Sequence, residues 1–455
     1  MSKIYHAEIF GLREKKYNWL NKHNIQNVKW KKIAPHPEFY LFIPTDDKLA
    51  NHYYSFSKIT EIFPFNSVGI VTARDNFVID FDKKKLEQRI NQFVNPKIDD
   101  EILKQTYNLN ENQSWKIKEQ REKLRKDLDW KDSITKILYR PFDERWILYH
   151  DEMIERTRKD IMQHLLEENI ALITSRQTNA DFRHVFITQS IIEFNITGTA
   201  GSYGSGYIFP LYIYRRAASK KKLAFAQLMM FEPEVEYEAI LSNISLEVRN
   251  MLVKNYKKPF LNPMDGDKEI KGFGSKDIFY YIYAILYSNA YRTKYTQFLK
   301  IDFPRVPFTK NYKLFIKLGK LGKQIADLHL LKPASPSGGS KELDIPQGGT
   351  KFPISGTNKV EKPKYVPVKT GHAPSIQMGR VYINKDQYFD GVKEEVWQYQ
   401  IGSYQVCEKW LKDRKERTLT LEEIQTYCKI VTALFRTIKL QIEIDKYYPS
   451  VENTV

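Results

Sequence analysis

Apolar positions along this chain alternate between a helical and a strand period. Residues 11–21 carry helical spacing, whereas 39–44 (Phe-Tyr-Leu-Phe-Ile-Pro) and 67–74 read as strands, the second apolar enough for burial on both faces. Residues 83–130 return to a helical pattern and are densely charged. Glu119 with Lys123, and Glu122 with Lys126, have the favourable i,i+4 order of a solvated helix face. From 133 to 214 the pattern shortens to strands at 134–139, 146–149, 170–174, 185–188 and 207–214, interrupted by an amphipathic helix near 157–167. Helices are predicted at about 234–255, 276–299 and 312–331, the second with Ser275 as N-cap and Asp277 in its first turn.

Residues 333–350, rich in Pro, Gly and Ser, read as a surface loop. A hairpin-like pair follows at 360–368 and 379–384, then two helices. The last is the best defined. Thr420 and Glu423 form a capping box, and Ile424, Cys428, Val431, Leu434, Phe435, Ile438 and Ile442 recur at helical spacing. The fold class is therefore α+β: a β-rich core at 131–332, preceded by a helical connector at 1–95 and a charged helical segment at 96–130. After the 333–350 loop, a hairpin and C-terminal helical subdomain occupies 351–455.

The 455 residues are 42% hydrophobic and 14% aromatic, which excludes a disordered chain. A net charge of +17 requires many surface cations and points to a polyanionic partner. A membrane is not that partner, because the longest apolar stretch, 278–286, falls far short of the ~20 residues of a spanning helix. The N-terminus lacks a charged-then-apolar targeting pattern, so a cytoplasmic location is expected. Cys407 and Cys428 have no Cys or His at metal-ligand spacing and read as buried apolar residues.

Catalytic signatures do not emerge. Methyl transfer to a base amine needs a Gly-rich cofactor turn and an Asn- or Asp-Pro-Pro-aromatic loop, and neither is present. Gly201, Gly204 and Gly206 lack dinucleotide-binding spacing and read as a loop before a strand. Gly319, Gly322 and Lys323 lack phosphate-loop spacing and lie in a helical pattern. Asp390, Glu394 and Glu395 read as a solvated turn rather than a cation site. No cofactor, metal or catalytic residue is expected, and the chain reads as no enzyme on its own.

Cations do cluster with aromatic and amide side chains. Arg140 and Arg145 fall in Tyr-Arg-Pro-Phe-Asp-Glu-Arg at 139–145; Arg156 and Arg158 precede a helix; Arg176 and Gln177 follow a strand. Arg and Gln suit bidentate contacts to guanine and adenine edges. Arg215, Arg216, Lys220, Lys221 and Lys222, with no acid among them, suit a phosphate clamp. Each cluster also has a bland reading: Arg140 paired with Asp143 or Glu144 to fix a turn, Arg176 and Gln177 capping a strand, the 215–222 run a solvated loop. Together with the charge they favour nucleic acid.

Several blocks carry a family resemblance. They are Gly-Leu-Arg-Glu-Lys-Lys-Tyr at 11–17, Val-Gly-Ile-Val-Thr-Ala-Arg-Asp at 68–75, the 139–145 block, Ser-Arg-Gln at 175–177 and Phe-Pro-Leu-Tyr-Ile-Tyr at 209–214. Asp-Phe-Pro-Arg-Val-Pro at 302–307, Val-Trp-Gln-Tyr-Gln-Ile-Gly-Ser-Tyr-Gln-Val at 396–406 and Lys-Trp-Leu-Lys-Asp-Arg-Lys at 409–415 follow in order. The chain resembles the C-terminal specificity region of type ISP and related type IIG restriction–modification enzymes. In that family a nuclease, an ATP-driven motor and an adenine-N6 methyltransferase precede this region in one polypeptide. The resemblance implies recognition of an asymmetric double-stranded DNA site by residues 131–332, the connector following a methyltransferase domain that is missing here. Methyltransferase, nuclease and motor are then supplied by a separate polypeptide, and no catalytic role carries over to any residue. Two rivals remain open: a partner-docking remnant of a split or decayed enzyme, and a protein that binds RNA or single strands through stacked aromatics.

Overall fold

A computed structural model describes residues 3–33, 35, 42, 47–199, 204–214, 240–262, 271–332, 350–352, 355–368 and 378–455. The strand expected at 39–44, apart from residue 42, the cationic run 215–222 and residues 333–349 of the expected loop lie outside the described residues. The chain divides into two units, Met1–Phe56 and Ser57–Val455.

In the first unit, strand Ile4–His6 pairs antiparallel with Lys31–Ile33, and helix Arg13–Lys22 stands between them in sequence. That helix buries no residue. Phe10, Leu12 and Ile25 are exposed at 75%, 83% and 80%.

The second unit is mixed α+β. One four-stranded sheet has the order Ile191–Ile192, Ile134–Arg140, Asp143–Leu148, Ile79–Asp80; its first pair is parallel and the others antiparallel. A second, antiparallel throughout, runs Ser67–Val68, Tyr207–Pro210, Ala171–Thr174, Val185–Thr188. The Ile, Val and Leu runs of this second sheet suit strands buried on both faces, and all residues of Ala171–Thr174 and Val185–Thr188 are buried. The continuous strand expected at 67–74 shrinks to two residues. Beyond it only bridges from Ile70 to Glu193 and from Val71 to Arg156 persist, and Ala73 then turns to φ 59°.

The charged segment breaks into helices Lys83–Val94, Asp100–Tyr107 and Ile117–Lys126. Its cations are more structural than the solvated-face reading predicts. Arg121 is buried and donates to the carbonyls of Phe93, Asn95 and Ile98, while Arg125 donates to that of Val94. Both thereby satisfy carbonyls left over at and beyond a helix C-terminus. Lys123 pairs with Glu152 at 3.1 Å rather than with Glu119.

Helix Ser275–Tyr287 is the most buried helix among the described residues, with every residue from Ile278 to Tyr287 buried, as befits an interior helix. Its N-cap is Gly274, not Ser275: Asp277 accepts the Gly274 N–H at 2.8 Å, and the Ser275 hydroxyl instead donates to Ser242. Helix Tyr312–His329 crosses it closely at Gly322, where any Cβ would overlap the Tyr280 carbonyl oxygen. Gly322 thus belongs to helix packing, whereas Lys323 is exposed and pairs with Asp327 on the same helix. The predicted 360–384 hairpin is a three-stranded antiparallel sheet, Lys364–Val368, Met378–Tyr382 and Tyr388–Lys393. Helices Val406–Lys412 and Leu421–Glu452 follow. The last opens on the predicted box: Thr420 Oγ1 accepts the Glu423 N–H and Glu423 Oε2 the Thr420 N–H, both at 3.1 Å. Ile442 departs from expectation, lying on the outer face at 56% exposure.

One core joins the two sheets, the 378–411 region and the first half of the last helix. Cys407 and Cys428 lie in it unpaired; burial raises their thiols to about 12 and about 11, which keeps both protonated.

Candidate nucleic-acid interface

The 139–145 block lies inside the fold. Arg140 ends the strand Ile134–Arg140, and its Nη1 donates to Glu193 Oε2 at 2.6 Å. Neither Asp143 nor Glu144 is its partner, because the parallel pairing of Ile191–Ile192 with this strand delivers Glu193 instead. Arg145 pairs with Asp143 at 2.7 Å and Asp413 at 3.4 Å, and Arg414 reaches the same Asp143 at 2.9 Å and Glu423 at 3.2 Å. Arg145, Arg414 and Arg417 also crowd around the Phe81 ring. Burial alone would raise the Asp143 carboxyl, yet Arg414 and Arg145 hold it below the usual carboxylate range. The result is a buried ionic lattice that ties the first sheet to the last two helices, and its charge is neutralised within the fold.

Arg156 and Arg158 take an intermediate course. Arg156 is exposed, and its backbone bridges to Val71. Arg158 is half-buried at φ 53°, its Nε buried without a hydrogen-bond partner. Lys159 beside it pairs with Asp151.

The 175–183 loop is different. It leaves the inner strand Ala171–Thr174 and returns into Val185–Thr188, so both ends are fixed in a buried sheet. Ser175 roots it, donating to the Gly204 carbonyl at 2.9 Å, as Thr197 does. Buried Thr178 donates its N–H to the Lys300 carbonyl. Between these anchors Arg176, Gln177, Asn179, Ala180 and Asp181 are exposed. Arg176 Nε lies 3.0 Å from Asp302 Oδ1, and Lys58 pairs with the same carboxylate. At the loop's end His184 is wholly buried with neither ring nitrogen hydrogen-bonded; burial lowers its pKa to about 4, so it is neutral at physiological pH.

Sequence reasoning missed a further contributor. The hairpin formed by Gln400–Ile401 and Tyr404–Gln405 docks beside the loop: Gly402 N–H donates to the Arg183 carbonyl at 2.8 Å and Ser403 N–H to the Thr197 carbonyl at 2.9 Å. The 396–406 block stood out in the sequence, but nothing in it marks a partner some two hundred residues earlier.

Among the described residues there is no group of three metal-ligating side chains, and no helix is long and apolar enough to cross a membrane. What the geometry defines is an α+β scaffold whose buried ionic lattice and sheets present short polar loops. The chain belongs to the Type ISP C-terminal specificity domain family, whose model matches residues 61–441. Solved structures agree in fold. A nuclease-deletion mutant of the Type ISP restriction–modification enzyme LlaGI, in complex with a DNA substrate mimic, matches 97% of this chain at 19% identity and a TM-score of 0.60. The cryo-electron-microscopy DrdV–DNA complex matches 97% at 18% identity and 0.66. The ATP-dependent Type ISP enzyme LlaBIII bound to DNA matches 91% at 19% identity and 0.60. The matched region is 33%, 43% and 25% of those chains, respectively. No curated protein matches by sequence.

Proposed function

We propose that this chain recognises a specific double-stranded DNA site as the specificity module of a restriction–modification system, positioning an adenine for the N6-methyltransferase of that system. The observation that carries the reading is the 175–183 loop: Arg176 and Gln177 stand exposed on a backbone fixed at both ends, in a chain of a specificity-domain family. A rigid backing lets such side chains discriminate base edges without ordering at the moment of binding. The net charge of +17 supplies the sequence-independent attraction, with Arg156, Arg158, Arg215, Arg216, Lys220, Lys221 and Lys222 assigned to phosphates. Arg140 and Arg145 are assigned to positioning, since they are largely buried against the carboxylates that neutralise them.

In this reading residues 131–332 are the recognition core and 1–95 the connector to the methyltransferase. The exposed Phe10, Leu12 and Ile25 of the first unit fit a face awaiting a protein partner. Methyl transfer and cleavage are assigned to that partner. Selection from a random duplex library tests the reading: a single asymmetric consensus is expected. Equal recovery of all duplexes, or preference for single strands, would overturn it.

A further inference from the structure

We propose that Arg183 and Gln400 form a second base-reading element, which takes the major-groove edge of a guanine. This assignment rests on the reading of the chain as a duplex-DNA specificity module.

The two arginines of the 175–183 loop are held in different ways. Arg176 faces the Asp302 carboxylate, so much of its charge is offset within the protein. Arg183 Nη1 instead donates to Gln400 Oε1 at 2.6 Å, a neutral acceptor. Its nearest carboxylate, Asp181, is 4.0 Å away, 68% exposed, and also within 3.4 Å of Lys300. Arg183 therefore keeps its charge while losing its freedom, and its side chain remains 42% exposed. Gln400 is exposed beside it.

The hairpin fixes the pair from the backbone as well. Gly402 turns it at φ +58°, and any Cβ there would overlap the Thr197 carbonyl, so the close approach requires glycine. The Gly402 N–H then holds the Arg183 carbonyl, and the Tyr404 hydroxyl donates to the Asn195 carbonyl at 2.9 Å. Main chain and side chain of Arg183 are thus tied to one small element.

With one lone pair of the Gln400 carbonyl oxygen taken by Arg183, what the pair offers outward is chiefly donors: the remaining guanidinium N–H groups and the Gln400 amide nitrogen. Guanine presents two acceptors, O6 and N7, in the major groove, whereas adenine presents one acceptor and one donor. A fork made chiefly of donors matches guanine better than adenine. It also matches phosphate oxygens, and the two differ in whether sequence is read.

The test uses the full chain. The wild type, Arg183→Ala, Arg183→Lys and Gln400→Glu are each taken through duplex selection, with melting curves as a fold control. Gln400→Glu keeps an acceptor for Arg183 but places a carboxylate on it. Arg183→Lys keeps the charge but removes the fork. All three variants are expected to lose the preference for guanine at one position, by roughly 5- to 150-fold, and to keep the wild-type preference elsewhere. Should Arg183→Ala fail to melt cooperatively, Arg183→Lys and Gln400→Glu decide. A wild-type consensus returned unchanged by the folded variants would overturn this assignment and leave the specificity reading standing. So would a uniform loss on all duplexes with a shallower salt dependence, which marks a phosphate contact. A wild type that selects no consensus overturns both.

Discussion

The 139–145 block and the 175–183 loop look alike as sequence, each mixing arginine, acid and aromatic residues, yet the fold treats them oppositely. In the first, two arginines are largely buried, Arg140 against Glu193 and Arg145 against Asp143 and Asp413. In the second, the loop leaves the end of an inner strand, and Arg176, Gln177, Asn179 and Asp181 stay outside. Composition does not separate these outcomes. What separates them is whether another segment arrives to cover the cluster, as Asp413, Arg414 and Glu423 do for Asp143 and Arg145. Cations that stabilise a fold and cations available to a polyanion are distinguished by burial rather than by having a carboxylate partner: Arg140 and Arg145 are 11% and 13% exposed, whereas Arg176, which also faces a carboxylate, is 56% exposed.

Breaking the buried side has the largest expected effect. Asp143→Ala strands Arg145 and Arg414 in the interior and should cost roughly 3–5 kcal/mol, read as a lower denaturant midpoint. A loss below about 1 kcal/mol would show that Asp413 and Glu423 suffice. The same carboxylate predicts acid sensitivity. Its native pKa is lowered, so its stabilisation is complete above the unfolded value of about 3.9 and disappears as pH falls through the native value. Wild type should lose stability in that window faster than Asp143→Asn, and parallel curves would sink the attribution.

On the exposed side, Arg176→Ala and Gln177→Ala should each weaken specific binding by ~1–3 kcal/mol, with folding stability changed by no more than about 0.5 kcal/mol. A comparable loss of stability would place them with the lattice residues. Neutralising Lys220, Lys221 and Lys222 should weaken all duplexes alike and flatten the plot of log affinity against log salt by roughly 0.9 per lost contact. An unchanged slope would move the clamp to Arg156 and Arg158. The smallest effect belongs to Ile442→Lys. On the outer face of the last helix it should shift stability by under about 0.5 kcal/mol, and a larger change would mean that face is covered.

Much of the scaffold is legible in the sequence because the determinants are local. The Thr420–Glu423 box, the period of the last helix through Leu434 and the strand at 185–188 all rest on neighbours within a few residues. Ser275 shows the limit of that reasoning: a serine before an apolar run is a good N-cap, but here Ser242 draws its hydroxyl away and Asp277 serves the preceding glycine instead. The candidate site was legible only in part. Arg176 and Gln177 stand out beside a strand, whereas the fate of Arg140 depends on Glu193, and that of Arg183 on Gln400. Those pairings are set by sheet order and hairpin docking, which no local pattern encodes.

The last helix has a consequence for how the chain is assembled. Its Gln441 amide donates to the Tyr287 carbonyl at the end of the most buried helix, Asp445 accepts from Ser288, Glu452 takes Lys294 and Tyr295, and Thr454 meets Thr309 and Lys310. Interior polar groups synthesised early therefore wait for partners made more than a hundred residues later. A nascent chain that has emerged only as far as residue 332 holds a greasy helix with an unanswered carbonyl, so folding of this unit is expected to finish late rather than element by element. Until then its apolar surface is a target for chaperones, and a premature stop anywhere before residue 441 should yield aggregate rather than a smaller working module.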